Sequence, residues 1–415
     1  MERTTREIDA VWRIESARLI ASLARMTGDV GLAEDLAHDA LIAALEQWPE
    51  SGVPDKPGAW LVAVAKRRAV DRYRREERLA QKVAVLGGGL QPDQGFEAEV
   101  AEGIDDDIGD DLLRLVFTAC HPALSPEARV ALTLRLLGGL TIDEIAHAYL
   151  VPPATIAQRI VRAKRTLSRA EIPFEIPSGD ELPDRLGSVL EVIYAIFNEG
   201  YSATAGEQWT RPLLCEEALR LGRILGTLTP SEPEVHGLVA LMEIQASRLR
   251  ARSGPDGRPV LLFDQNRARW DRLLINRGLV ALQRAEALSS TPGPYTIQAA
   301  IAACHARAVA PEDTDWARIA GLYDELARLV PSPVVQLNRV VAVGMAVGPE
   351  AGLELVDALT GDPAMAEYHL LPSVRGDLLS RLGRTQEARA EFTRAARLVR
   401  NIPERDLLLV RARQL

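Results

Sequence analysis

The side chains able to do chemistry fall in three places. From Lys66 to Arg78 the chain reads KRRAVDRYRREER, seven bases against three acids. From Arg159 to Arg169 it reads RIVRAKRTLSR, five bases and no acid. Dense cations of this kind neutralise phosphates, the sequence-independent part of nucleic-acid binding. In and just before the second stretch, Thr155, Gln158, Arg159 and Arg162 recur at helical spacing, roughly on one face, and Arg165 follows them. Glutamine pairs with the adenine edge and arginine with guanine or phosphate. The third place is Asn198-Glu199-Gly200-Tyr201. Glutamate and tyrosine are acid and base types, but no His, Asp or metal set stands beside them in sequence. Two readings are open: a helix C-terminus with Gly200 as its left-handed cap, or a ligand or interdomain contact made by Asn198, Glu199 and Tyr201.

Other nucleophilic pairs carry less. Cys120-His121 and Cys304-His305 set thiol beside base, but adjacent helical residues do not face each other, so each reads as a core cysteine next to a polar histidine. There is no Walker loop and no GxGxxG after a strand, and Gly87–Gly89 has no following P-loop lysine. Nothing points to catalysis, a cofactor or a metal.

Charge first argues against nucleic acid. The 415 residues hold 49 bases and 58 acids, a net −9. The excess is segregated, however. Residues 1–182 carry 22 bases and 30 acids, and residues 183–415 carry 27 and 28. The fifteen residues from Glu97 to Asp111, EAEVAEGIDDDIGDD, hold eight acids and no base, which matches the whole excess of the first part. Two basic segments separated by an acidic one suggest a bipartite nucleic-acid binder. Three scattered cysteines without CxxC argue against a disulfide scaffold or a zinc site and for a reducing cytoplasm. No apolar run long enough for a membrane span and no secretory h-region is present.

The elements that must position these residues read as helices. Apolar residues recur at three- and four-residue intervals in Leu19–Leu23–Met26, Leu36–Leu41–Leu45 and Leu61–Val64. Residues 83–111, with the glycine triplet 87–89, Gln91-Pro92 and the acid run, predict a flexible linker. Beyond it, Ser125-Pro126-Glu127 and Thr141-Ile142-Asp143-Glu144 carry helix-start signals. They predict a short helix, Ile142–Tyr149, a break at Val151-Pro152-Pro153, and a basic helix Ala154–Ser168. That is the helix-turn-helix layout, whose second helix enters the major groove. After Pro177, the sets Ile319–Tyr323–Leu326–Pro331, Ala351–Leu355–Ala358–Pro363 and Ala388–Phe392–Ala395–Pro403 repeat at near-34-residue intervals, the pattern of a tetratricopeptide second helix. Gly376 falls at the matching first-helix position of the last copy.

Together these residues carry a family resemblance. AEDLAHDALIAALEQW and PGAWLVAVAKRRAVDRYRR resemble region 2 of an extracytoplasmic-function (ECF) sigma factor of the sigma-70 family. SPEARVALTLRLLGGLTIDEIAHAYLVPPATIAQRIVRAKRTL resembles its region 4. ELPDRLGSVLEVIYAIFNEGYSA and GPYTIQAAIAACHARA resemble the long tetratricopeptide-like extension of one subgroup. The resemblance implies an all-α protein: region 2 bundle at 1–82, acidic linker at 83–111, region 4 helix-turn-helix at 112–172, and a TPR-like α-solenoid at 180–415. It implies a dissociable, non-enzymatic polymerase subunit that selects promoters. Glu34, Asp35 and Asp39 would meet the clamp of the largest core subunit, and region 4 the flap of the second largest. Trp60, Lys66, Arg67, Arg68, Arg72 and Arg75 would face the −10 element, with Arg67 where many relatives carry Asn. Thr155, Gln158, Arg159, Arg162 and Arg165 would face the −35 element. The linker would thread toward the RNA exit channel. The extension would contact the sigma core, or an unknown partner, and modulate activity. An adaptor that binds DNA without replacing sigma is the competing reading.

Overall fold

In the computed structural model, residues 2–87, 108–255 and 257–415 are described. They form two compact units, Met1–Val192 and Ile193–Leu415.

The first unit opens with three helices, α1 (Glu2–Thr27), α2 (Val30–Ser51) and α3 (Pro57–Gly87), packed pairwise. Gly28 breaks α1 from α2 with a left-handed φ of 66°, and the Asp29 carboxylate then caps α2 by accepting the Leu32 N–H at 2.8 Å. The apolar repeat on α2 is not the buried face. Leu36 is buried, but Ile42 and Leu45 are 48% and 42% exposed, and the core side is an alanine stripe of Ala33, Ala37, Ala40 and Ala44. Small side chains let α1 and α3 approach closely, so leucine periodicity alone misassigns the interior. Trp48, 1% exposed, anchors the α2–α3 corner, with Trp60 edge-on at 5.2 Å. From α3, Leu61, Ala65 and Ala69 complete this core at i, i+4 and i+8.

The second part of this unit comprises α4 (Ile108–Ala119), α5 (Pro126–Leu136), α6 (Ile142–Tyr149) and α7 (Pro153–Arg169), followed by the first half of α8 (Glu181–Tyr201). Helix α1 packs along α4. Most of the expected 83–111 linker, including Glu97 to Asp107, lies outside the described residues. Its two ends are helical, and its last acid, Asp111, is buried between Arg25 at 3.0 Å and Arg114 at 2.7 Å.

The second unit continues with α9 (Pro212–Leu228), α10 (Pro233–Ala246), α11 (Arg272–Leu288), α12 (Pro294–Arg307), α13 (Trp316–Leu329), α14 (Pro333–Ala346), α15 (Pro349–Leu359), α16 (Leu370–Arg381), α17 (Thr385–Leu398) and α18 (Ile402–Gln414). From α12 onward each helix packs on the next. The three repeated apolar sets fall on α13, α15 and α17, every second helix. Gly376 on α16 is where Phe392 of α17 crosses: a Cβ there would lie 3.0 Å from the Phe392 ring. The early and late parts of this unit are tied together. A two-residue parallel pair joins Ala205–Gly206 to Arg400–Asn401. Asn401, wholly buried, donates to the carbonyls of Ala203 (3.0 Å) and Gln208 (2.8 Å) and caps α18.

Candidate nucleic-acid interface

Helices α6 and α7 form the helix-turn-helix, within a residue of the expected bounds. Thr141 Oγ1 accepts the Glu144 N–H at 3.1 Å, and Glu144 Oε2 accepts the Thr141 N–H at 2.8 Å, a reciprocal cap. Leu150 then takes a left-handed turn at φ 51°, and Pro152-Pro153 starts α7. Ile156, Ile160, Ala163 and Leu167 bury one face of α7 against α5 and α6. That seating turns Gln158, Arg162 and Arg165 outward, exposed, with Thr155 half-buried beside them. Neither Arg162 nor Arg165 has a carboxylate within ion-pair distance among the described residues, so both charges are available to phosphate or guanine. Arg159 departs from this group: it is half-buried at the edge of an apolar cleft lined by Glu127, Tyr149 and Ile156.

On α3 the expected cations divide. Arg67 and Arg72 are exposed. Arg68 pairs with Asp39 of α2 at 3.3 Å. Lys66 is half-buried, and burial followed by the neighbouring Arg25 charge lowers its pKa. Trp60 is half-buried against Trp48 and so serves the core on one side. The side chain of Arg75 lies outside the described residues.

The three acids of α2 also separate. Asp35 is exposed, Asp39 holds Arg68, and Glu34 is only 5% exposed. Glu34 Oε1 accepts from Arg135 Nε of α5 at 2.6 Å, and its other oxygen pairs with Lys164 of α7. Burial alone would raise its pKa, but Lys164 and Arg135 reverse this and hold the carboxyl below the usual range. His38, one turn on, accepts from Arg135 through Nε2. Burial and then the Arg135 charge lower its pKa, consistent with a neutral ring. A second bridge, Arg13 to Glu144 at 2.8 Å, joins α1 to α6. Sequence reasoning missed this network. The one available signal was Lys164, the lone lysine of the otherwise arginine-rich α7.

Comparison with known proteins bears on this arrangement directly. Residues 14–79 match the family model of Sigma-70 region 2 and residues 114–167 that of Sigma-70, region 4. Residues 185–286 match a family of unknown function, DUF6596. An ECF RNA polymerase sigma factor, SigK of Mycobacterium ulcerans (strain Agy99), is 30% identical over 36% of this chain and 78% of its own length. The chain belongs to the ECF sigma factors. The probable ECF RNA polymerase sigma factor SigI of Mycobacterium tuberculosis is 28% identical over 40% of this chain and 56% of its own length. An uncharacterised protein of Rhizobium meliloti (strain 1021) is 44% identical over 93% of this chain and 90% of its own, so it shares the extension too. No solved structure matches.

In this sigma factor the Asn198–Tyr201 string is not a helix cap. Gly200 lies inside α8 and has no left-handed φ. It is glycine because α9 crosses there: a Cβ would meet the Cys215 N at 2.7 Å and the Leu214 Cβ at 2.9 Å. Glu199 is buried, ion-paired with Arg211, and faces the Thr204 N–H. Burial raises its pKa, and Arg211 opposes the rise. Its work is to pin the 203–211 loop. Asn198 is exposed, and Tyr201 lies under the Arg252 guanidinium. The Cys–His pairs stay apart as expected from helix geometry. Burial pushes the Cys120 thiol up to about 11, while the His121 ring accepts the Ala123 N–H. No helix among the described residues is long and apolar enough to cross a membrane.

Proposed function

We propose that this sigma factor joins core RNA polymerase in the cytoplasm, reads a −35 element through α7 and a −10 element through α3, and starts transcription. The observation that carries the reading is the outward face of α7, where Gln158, Arg162 and Arg165 stand exposed and the two guanidiniums have no acidic partner among the described residues. On α3, Lys66, Arg67, Arg68, Arg72 and Arg75 supply charge for the strand around the −10 element, with Trp60 on the same helix. For polymerase docking, α2 offers a mixed face of Asp35, Asp39, Ile42 and Leu45, spaced as one side of a helix. Glu34 joins that surface only after leaving Arg135 and Lys164. We therefore assign the Glu34 network a latching role that keeps regions 2 and 4 together off the polymerase. Region 4 would dock on the flap of the second-largest subunit, and the acidic 83–111 segment would occupy the RNA channel. The helical extension, tetratricopeptide-like in its repeat spacing, would modulate these steps.

The test is run-off transcription from duplex and pre-melted promoters with core polymerase and this protein alone. A defined start from duplex DNA supports the proposal. Failure on both templates, with DNA binding retained, favours an adaptor that does not replace sigma.

A further inference from the structure

The second unit contains an alternating ladder of arginines and aromatic rings, several of whose donors lack acceptors among the described residues. The Arg252 guanidinium lies 3.8 Å from the Tyr201 ring centre and 5.1 Å from that of Trp209. Arg248 lies 5.8 Å from Tyr201 and 5.7 Å from Trp270, and Arg267 lies 4.8 Å from Trp270. Stacking on a ring satisfies the face of a guanidinium but leaves its N–H edge unpaired. Arg267 fills its edge with the carbonyls of His305 (2.7 Å) and Ala308 (2.6 Å) and with Thr314 Oγ1. Among the described residues, Arg248 and Arg252 have no side-chain hydrogen-bond acceptor and no carboxylate in ion-pair range.

The shortage extends beyond the two forks. Among the described residues, the buried Nε atoms of Arg248, Arg252 and Arg267 and the indole N–H groups of Trp209 and Trp270 have no partner. Trp270 is 3% exposed and Arg267 8%. Buried donors are ordinarily paired, and here five stand unpartnered among the described residues, with the neighbouring His305 Nδ1 also unpartnered. Elsewhere in the same unit the buried charges are matched: Glu199 with Arg211, Glu217 with Arg220, and Glu243 with Arg223 and Arg277. The local potential is accordingly positive. Burial, then Arg248 and Arg267, push the neighbouring His305 down to about 4. The acids near the ladder, Glu312 and Asp313, act on Arg267.

We propose that this ladder is a binding site for a phosphate-bearing small molecule, with Arg248 and Arg252 as the anchoring forks and the indole N–H groups of Trp209 and Trp270 as further donors. Two unbalanced guanidiniums match a phosphate monoester, which carries about −1.5 to −2 charges and three acceptor oxygens. A carboxylate offers one charge and two oxygens. The sigma factor's extension would thereby report a phosphorylated metabolite, and Glu199, by pinning the loop that carries Trp209, would position the donors. The site stands independently of the promoter reading given above.

The experiment is titration of the full chain, in phosphate-free buffer, with inorganic phosphate and with adenosine monophosphate, following tryptophan fluorescence and thermal unfolding. Acetate and chloride at equal ionic strength are the controls. Both phosphates should bind saturably and raise the unfolding temperature, and acetate should not. Arg248→Gln and Arg252→Gln should each weaken binding about tenfold or more, with the ligand-free unfolding temperature unchanged or raised because one unbalanced charge is gone. Arg252→Lys keeps the charge and loses the fork, so it should fold and bind more weakly than the parent chain. Absence of saturable binding, equal binding by the Arg248→Gln/Arg252→Gln double variant, or acetate acting as well as phosphate would each overturn the assignment. Response to inorganic phosphate alone would overturn the ester and leave a simple anion sensor.

Discussion

Replacing Glu34 with glutamine separates two roles for that residue by the sign of the effect. The substitution keeps the shape and removes the charge. Glu34, Arg135 and Lys164 have side chains 6%, 13% and 20% exposed. At an effective dielectric near 20, each close pair attracts with roughly 4–6 kcal/mol before desolvation. Desolvation cancels most of this, and measured losses on breaking a buried pair run at about 3–5 kcal/mol. Glutamine still offers Arg135 one acceptor, and Lys164 keeps some contact with water, so we expect the contact between α2 and α5–α7 to weaken by about 2–3 kcal/mol. Since about 1.4 kcal/mol is tenfold, the open form should gain some 30- to 150-fold in population. Spin labels at Gln47→Cys and Ala154→Cys, both exposed sites, in a Cys304→Ser background, would report the separation of α2 and α7. Glu34→Gln should lengthen and broaden that distance and raise the affinity for core polymerase. The reversed pair, Glu34→Lys with Lys164→Glu, rebuilds one ion pair but sets a second cation against Arg135, so it should recover only part of the closed distance lost in Glu34→Lys alone. An unchanged distance together with weaker polymerase binding would refute the latch and leave Glu34 as a polymerase contact alone.

Other outcomes follow from the same structure. Arg162→Ala should weaken binding to a −35 duplex by about 1–3 kcal/mol, with a shallower salt dependence if the contact is to phosphate, measured by fluorescence anisotropy at several salt concentrations. Thr141→Ala removes one side of the α6 cap and should cost about 1 kcal/mol, read from urea midpoints. Gly200→Ala drives a methyl into the Cys215 backbone and should destabilise the second unit by about 1–3 kcal/mol, visible in the same assay. His305 has its folded pKa depressed from 6.5 to about 4. Its neutral form therefore contributes stability fully above pH 6.5, and that contribution falls away as pH drops toward 4, by about 3 kcal/mol at most. A His305→Gln variant should lose less stability than the parent chain between pH 7.5 and 4.5.

What the sequence disclosed follows how local each cause is. The helix-turn-helix was legible nearly to the residue, because Thr141, Glu144, Ser125 and the proline pair act within one turn of themselves. The repeat on α13, α15 and α17 was legible because each copy shows the same spacing. The buried side of α2 was not, since alanines carry little periodic signal and Ile42 and Leu45 face outward. Glu34 reads as one of three equivalent acids, and only the approach of α5 and α7 distinguishes it. Gly200 resembles a cap until α9 is seen to cross it. The arginine ladder draws on positions 201 to 270, and its defining property, donors without acceptors, exists only once the chain is folded. The pairing of residues 205–206 with 400–401 is two residues long and leaves no pattern.

The proposal tested most directly is that this chain serves as the sigma subunit of the polymerase without a second sigma factor. Its most direct measurement is promoter-specific run-off transcription from duplex DNA by core RNA polymerase supplemented with this protein and no other sigma. A single defined start is expected, which shifts when the −10 element is moved and disappears with Arg162→Ala/Arg165→Ala. A requirement for a second sigma factor on every template would contradict it.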